Sequence, residues 1–529
     1  MPFLVGKPLS LAITATAGSG FLLFGYDQGV MSGLLTGDAF VRVFPEIDTT
    51  AGGHGNSSLQ GTVVAIYEIG CFFGAIMSLL VGERLGRRWC IMAGSVILSI
   101  GAVLQATSYG IPQMIVGRIV AGVGNGLNTS TIPVWHSELS KASSRGKGLA
   151  IELVINIFGV MTAYWVDYGM SYVNNESQFR FPLALQILFA IVTFLGVLVL
   201  PESPRWLIAH DRHADARQVL WSVQPNARLI NQDDPVVNME MAEISRTMAE
   251  ERQAAAEGSF KMLLTDGPQR FRHRTLLAMG GQMMQQLSGV NLITYYNTVI
   301  FEQSVGMTHN LALLLAGFNG VAYFLSTFVP VWAIDRYLSI LPPACLAYPV
   351  TLKTDQYRLG RRKLMLFAAA GQCACMAILA GTVYDGGFSA GIVATVMLFL
   401  FNFFFGVGLL AVPWLLPAEY APLAIRTRTA ALATATNWIF TFLVVEITPV
   451  SISSIGYRTY IYFAVFNFCF LPVIYFLYPE TRNLTLEQID RLFTGEKVRL
   501  HWDASMGVAG DTEHRLQEKM GDAEVQHVE

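Results

Sequence analysis

The sequence predicts an all-α membrane protein with twelve transmembrane helices in two pseudo-symmetric six-helix halves. Three observations carry this expectation: too little charge for a water-soluble surface, twelve apolar runs long enough to cross a bilayer, and polar motifs that recur at equivalent places in the two halves. Of 529 residues, 53% are hydrophobic and only 14% charged, against roughly 25% charged in soluble domains. The 33 Phe and 48 Gly agree, because lipid tolerates apolar side chains all round a helix and Gly lets membrane helices approach closely. The formal net charge of -3 and the lack of a long basic run argue against a nucleic-acid partner. The six cysteines lie in or beside apolar stretches without the spacing of a zinc site or a disulfide framework. Neither a metal nor a cofactor is expected.

Residues 1–10 read as a short N-terminus. The apolar stretch that follows ends in Gly25-Tyr26-Asp27 rather than a small-residue cleavage site, so it reads as a retained first span and not as a signal peptide. A spanning helix needs about 20 mostly apolar residues. Such runs at 11–33, 59–81, 89–108, 111–134, 148–169 and 182–201 make a first half, 11–201. Runs at 275–301, 310–334, 364–384, 393–416, 429–450 and 457–478 make a second half, 275–478. Between them, 202–274 is rich in Arg, Asp, Glu and Gln and reads as an aqueous linker with short amphipathic helices. Residues 479–529 form a polar tail, expected to be disordered from Phe493 onward. Arg84, Arg87, Arg88, His136, Lys141, Arg145, Lys147 and the linker fall on one side, which marks that side and both termini as cytoplasmic.

The halves repeat. Gly82-Glu83-Arg84-Leu85-Gly86-Arg87-Arg88 follows span 2, and Asp335-Arg336 with Leu359-Gly360-Arg361-Arg362 follows span 8. Glu138 and Arg145 after span 4 match Glu419 and Arg426 after span 10, each pair seven residues apart. Two six-helix units of one design are what a rocking transporter needs, with a site at their interface opened alternately to each side.

These loops, with Pro201-Glu202-Ser203-Pro204-Arg205, Gln285-Gln286-Leu287-Ser288-Gly289-Val290-Asn291 and Pro479-Glu480-Thr481, resemble the sugar porters of the major facilitator superfamily, which implies the major facilitator fold. The stretch Ala163-Tyr164-Trp165-Val166-Asp167-Tyr168-Gly169 with Phe179-Arg180-Phe181-Pro182 resembles more narrowly the fungal glycerol and hexose proton symporters. The resemblance implies a membrane carrier, not an enzyme, whose partners are a sugar or polyol, protons and the lipid bilayer. It also implies a monomer in the plasma membrane.

Asp27 lies roughly six residues before the outer end of span 1 and Arg118 roughly seven residues into span 4, so at about 1.5 Å per residue both sit about 10 Å below the same surface. Charges inside spans are expensive and are functional hypotheses by default. The expected role is proton coupling: Arg118 favours the carboxylate, burial favours the acid, and protonation weakens the pair. A static pair fixing spans 1 and 4 is the alternative. In the resembled family an acid at this place accompanies proton coupling, and diffusion-only carriers tend to have asparagine there.

Span 7 places Gln282, Gln285, Gln286 and Gly289 on one helical face, offering amides to a polyhydroxylated ligand and a glycine that can break the helix. By resemblance, Gln285, Gln286 and Asn291 bind the ligand, Tyr295 and Tyr296 close over it from outside, and Trp414, Asn437 and Trp438 complete the pocket. The alternative for each Gln is a hydrogen bond between helices. Leu153, beside Glu152, and Gly406 stand where hexose carriers of the family usually place a binding glutamine and glutamate, which favours a smaller polyol or a less polar ring. Glu446 reads as either a second proton site or a snorkelling acid. On the cytoplasmic side Glu83, Arg84, Arg88, Glu138, Arg145, Asp335, Arg361, Arg362, Glu419 and Arg426 resemble a charge latch for the outward-open state; positive-inside anchoring accounts for them too.

The second Gly-Arg-Arg loop is interrupted by 337–358, without which Asp335-Arg336 would join Leu359-Gly360-Arg361-Arg362. That insertion reads as a retained intron. The rival functions are a proton-independent sugar facilitator and a non-transporting sugar sensor of the same fold. Asp27 argues against the first and the short tail of about 37 residues against the second. A phosphate-binding loop and a His-Glu-x-x-His site are both lacking, which argues against an ATP-driven pump or a metallohydrolase.

Overall fold

The computed structural model describes residues 4–50, 53–140, 145–257, 260–267, 269–329, 360–422, 424–481, 489 and 492–493. Asp335 and the 337–358 insertion lie outside the described residues, as does the side chain of Arg145. Helices occupy all twelve expected runs. Spans 1 to 6 are Lys7–Leu34, Ser57–Leu85, Arg87–Ala106, Ile111–Leu139, Arg145–Met170 and Ser177–Val199. Span 7 is Phe271–Leu287 resumed by Val290–Val299, span 8 is His309–Ser326 and span 9 is Arg361–Asp385. Span 10 is Phe388–Gly408 resumed by Val412–Tyr420, and spans 11 and 12 are Arg426–Ile455 and Arg458–Leu477.

Among the described residues nine helices are long and apolar enough to cross a membrane. The other three spans are more polar: span 4 holds Arg118, Asn125 and Asn128, span 7 is divided and rich in Gln, and span 8 opens on His309-Asn310. Large apolar side chains such as Leu80, Leu195, Phe388 and Phe468 point outward, as a lipid-facing surface requires.

The first half is held by close backbone approach. Gly70 and Gly74 on span 2 face Gly122 and Gly126 on span 4, four residues apart on each helix; a Cβ on Gly70 or Gly74 would lie 2.9 Å from the Cα of Gly122 or Gly126. Such small-residue pairs let dispersion between closely packed backbones do what the hydrophobic effect cannot do within lipid. The linker forms helices Pro204–Ala209, His213–Ser222 and Pro235–Glu257. Leu207, Ile208, Ala216 and Val219 from it join Leu9 and Ile13 of span 1 in one apolar cluster. The face carrying this linker is called the linker face below, and the opposite one the far face.

The two broken spans obey the rule that backbone inside a membrane protein must find partners. Span 7 breaks at Ser288-Gly289, where Gly289 has φ of 98°, a conformation glycine adopts without steric cost. The Ser288 carbonyl, orphaned by the break, accepts from Asn467 Nδ2 of span 12 at 2.8 Å. Span 10 breaks after Gly408, and the carbonyls of Leu409 and Leu410 both accept from Gln285 Nε2, at 2.7 and 2.9 Å.

Replacing Gly126 with Val is expected to force spans 2 and 4 apart, since a Cβ there would lie 2.8 Å from Cys71 Cα. The expected cost is about 1–3 kcal/mol, read as a lowered thermal unfolding temperature of the purified protein in detergent.

Candidate functional site

A cavity of about 1360 Å³ lies between the halves. Its walls run from Glu83, Arg84 and Arg428 at the linker face to Gln28, Asn291 and Thr294 at mid-depth. Glu83 and Arg84 at its mouth are exposed. At the far face the halves are tied together: Thr298 N donates to Ser32 Oγ at 3.1 Å, Tyr164 Oη to the Thr294 carbonyl at 2.7 Å, and Thr62 Oγ1 to Glu446 Oε1 at 2.8 Å. The described conformation is therefore open to the linker face and shut at the far face. Glu446 serves here as an acceptor across the interface.

Asp27 and Arg118 meet. Arg118 Nη1 is 3.3 Å from Asp27 Oδ1, and neither side chain has any solvent exposure. Arg118 Nη2 donates to the Val64 carbonyl at 2.7 Å, and its guanidinium lies 4.7 Å from the Tyr67 ring centre. The pair thus ties together spans 1, 2 and 4. Beside it stands Glu68 of span 2, fully buried, accepting from Tyr295 Oη of span 7. Glu68 was legible by the rule that singled out Asp27, an acid inside a span, yet it is absent from the sequence-based expectations.

The amides Gln282, Gln285, Gln286 and Asn291 of span 7 all line the cavity and divide by their hydrogen bonds. Gln282 and Gln285 act as the hydrogen-bonded bridges that stood as the alternative. Gln282 Nε2 donates to the Pro413 carbonyl at 3.1 Å, and Gln285 pins the break of span 10. Asn437 Nδ2 binds both of their oxygens, at 2.7 and 3.0 Å. Gln286 and Asn291 are bonded to each other and face the cavity. Trp414 and Trp438 also line it, the latter packed edge-on against Phe24 at 5.6 Å. Leu153 lines the wall, with Glu152 next to it bonded to His136 Nδ1 at 2.6 Å. Tyr295 and Tyr296 are fully buried on the far side of the cavity, and Tyr296 Oη donates to the Val445 carbonyl at 3.0 Å. Asp167, from the narrower motif, accepts from Gly33 N at 3.2 Å and ties span 5 to span 1.

The linker-face charges pair within each half. Glu138 binds Arg87 at 3.1 Å, a residue not counted in the expected latch, and Glu419 binds Arg361 at 3.2 Å. Arg88 donates to the carbonyls of Val197 and Leu198, and Arg362 to that of Tyr475. Arg426 Nε donates to the Ala421 carbonyl at 3.0 Å. The two Pro-Glu motifs have matching tasks: Glu202 accepts from the first amides of span 3, Arg87 N at 3.2 Å and Arg88 N at 3.1 Å, and Glu480 accepts from the first amide of span 9, Arg361 N at 3.0 Å. A carboxylate there satisfies orphan donors and complements the helix dipole. Burial pushes the Glu202 carboxyl above its usual range, and these amides pull against that rise.

A cavity between two pseudo-symmetric six-helix halves, open at one face and shut at the other, is the architecture of a membrane transporter. The family model "Sugar (and other) transporter" matches residues 11–337 and 357–493. The chain belongs to this family of the major facilitator superfamily and is a multi-pass membrane protein. It is 39% identical to the MFS-type transporter oryC of Aspergillus oryzae, over 93% of this chain and 86% of that one. It is 38% identical to the sugar transporter STL1 of Saccharomyces cerevisiae, over 93% of this chain and 82% of that one. Among solved structures it superposes on the xylose transporter XylE of E. coli in a partially occluded inward open conformation, with a TM-score of 0.72, 22% identity, and coverage of 90% of this chain and 100% of that one.

Glu202→Ala and Glu480→Ala are each expected to lose about 0.5–2 kcal/mol, the usual worth of a helix cap. Thermal unfolding of the two variants, with Glu202→Gln and Glu480→Gln as controls that keep an acceptor, measures it.

Proposed function

We propose that this protein is a proton-coupled symporter of a sugar or polyol that works by alternating access. The single observation that carries the reading is the dry Asp27–Arg118 pair beside the interface between the halves. Removing one partner of such a pair leaves an uncompensated buried charge, at a cost of about 3–5 kcal/mol, and a proton on Asp27 does the same to Arg118, so protonation disfavours the paired arrangement. Protonation therefore releases Arg118 and lets spans 1 and 4 move apart. Relatives named as carriers support the cargo class, among them STL1 and a low-affinity glucose transporter of Kluyveromyces lactis, 32% identical.

Gln286, Asn291 and the indole Nε1 of Trp438, which has no hydrogen-bond partner among the described residues, offer donors and acceptors for cargo hydroxyls, and Trp414 offers an aromatic face. Gln285 and Asn437 reach the same cargo through the oxygen and nitrogen they share. Tyr295 and Tyr296 form the far gate. Leu153 and Gly406 leave the wall less polar, which suits a small polyol. The linker face is cytoplasmic, carries both termini and belongs to the plasma membrane, so the described conformation faces inward. Glu83, Arg84, Arg88, Glu138, Arg145, Asp335, Arg361, Arg362, Glu419 and Arg426 form the latch that closes this face in the outward-open state. Exposed pairs of about 0.2–1 kcal/mol each break easily enough for that.

Asp27→Asn is expected to abolish uphill accumulation of labelled sugars and polyols in a transporter-deficient cell while leaving exchange intact. A protonophore should have the same effect on the parent protein. Accumulation that survives in Asp27→Asn refutes proton coupling.

The family match breaks between 337 and 357, which supports reading 337–358 as a retained intron. Transcripts are expected to lack the segment; its presence in the main message species would refute this.

A further inference from the structure

The coupling centre contains a second acid that the function proposed above leaves unused. Glu68 has no solvent exposure. Its Oε1 accepts from Tyr295 Oη, which comes from the other half, and its Oε2 accepts no hydrogen bond from the described residues. Asp27 Oδ2 accepts none either. Arg118 and Asp27 both act on Glu68 electrostatically. Two carboxyl groups thus lie near one guanidinium, all three fully buried. A single cation offsets a single anion; a second anion nearby is opposed by lost hydration and by the first. A proton on either carboxyl relieves that opposition, so the pair takes up a proton as the pH falls.

We propose that Glu68 is a second proton-binding carboxyl of the coupling centre and that Tyr295 conveys its charge state to the far gate. This rests on the symport reading and deepens it. An ionised Glu68 accepts a charge-assisted hydrogen bond from Tyr295, roughly twice as strong as a neutral one. That bond clamps the second segment of span 7 against span 2. The described conformation, with Tyr295 donating to Glu68 and the far face shut, is the clamped one. A proton on Glu68 leaves only a neutral hydrogen bond there and loosens the gate helix. The step adds one proton from water to a carboxylate oxygen and changes no other covalent bond.

The surroundings are consistent with this pairing. Facing Glu68 are Asp27 of span 1, Arg118 of span 4, Tyr295 of span 7 and Cys71 of its own helix, while Tyr67 acts on Asp27. From span 11, Glu446 is bonded to Thr62, nearly two turns away. Span 3 keeps its titratable groups, Arg87, Arg88 and Cys90, at the linker face, and Glu46 packs near the first turn of span 2.

The test is infrared difference spectroscopy of the purified full-length transporter between about pH 8 and about pH 5, with no cargo present. Glu68→Gln is expected to lose one protonated-carboxyl band that the parent gains on acidification. Tyr295→Phe is expected to keep that band but gain it at higher pH, because a donor to the ionised form is gone. A Glu68→Gln spectrum identical to the parent's, or a Tyr295→Phe band at an unmoved pH, overturns the proposal; if Glu68→Gln does not fold, Tyr295→Phe decides alone. Survival of accumulation in Asp27→Asn sinks the symport reading without touching these spectra, so the two failures are distinguishable.

Discussion

Arg118 carries a positive charge into the interior of a helical bundle, and most of the first half is arranged around the need to compensate it. Asp27 supplies the opposite charge at 3.3 Å, the Val64 carbonyl takes a second nitrogen, and the Tyr67 ring lies near the guanidinium. Burial makes the arrangement sensitive. In water an ion pair at this distance is worth about 1 kcal/mol, and in a low-dielectric interior several times more, so one proton changes the balance by an amount that matters to a conformational equilibrium. The glycine pairs of spans 2 and 4 hold the backbones close enough for the Val64 carbonyl and Tyr67 of span 2 to reach Arg118 of span 4.

A second constraint acts in the other half, where two helices are broken in the middle of the bundle. Each break frees carbonyls that must be satisfied without water, and the polar side chains do that work: Asn467 for span 7, Gln285 for span 10. The residues most suggestive of ligand recognition are thus partly structural. Gln282, Gln285 and Asn437 form one network that fixes the broken segments relative to each other. Gln286 and Asn291 sit at its edge, facing the cavity. A pocket whose donors are preset in this way needs little rearrangement to receive hydroxyl groups.

The duplication of the chain is visible in physical detail as well as in motif. Glu202 and Glu480 each cap a helix that opens on Arg-Arg after a glycine, and Glu138 and Glu419 each pair with the first arginine of that helix. All of these contacts stay inside a half. That is what a unit moving as a rigid body requires, with the cross-half bonds gathered at the far face and free to be exchanged for others.

Hydropathy made most of the spans legible, because lipid imposes a length and an apolar character that a sequence displays directly, and the recurring motifs either side of the polar linker supplied the grouping into halves. The charged residues Asp27 and Arg118 were legible for the same reason: an ion inside a span stands out against its surroundings, and depth along two helices is simple arithmetic. Only the tertiary structure decided who meets whom. It made Arg87 the partner of Glu138, turned Gln285 toward the carbonyls of span 10, and joined Glu68 to a tyrosine 227 positions away. Rotation about a helix axis and the register between helices set those contacts, and both depend on how all the neighbours pack together, which no local pattern of residues encodes.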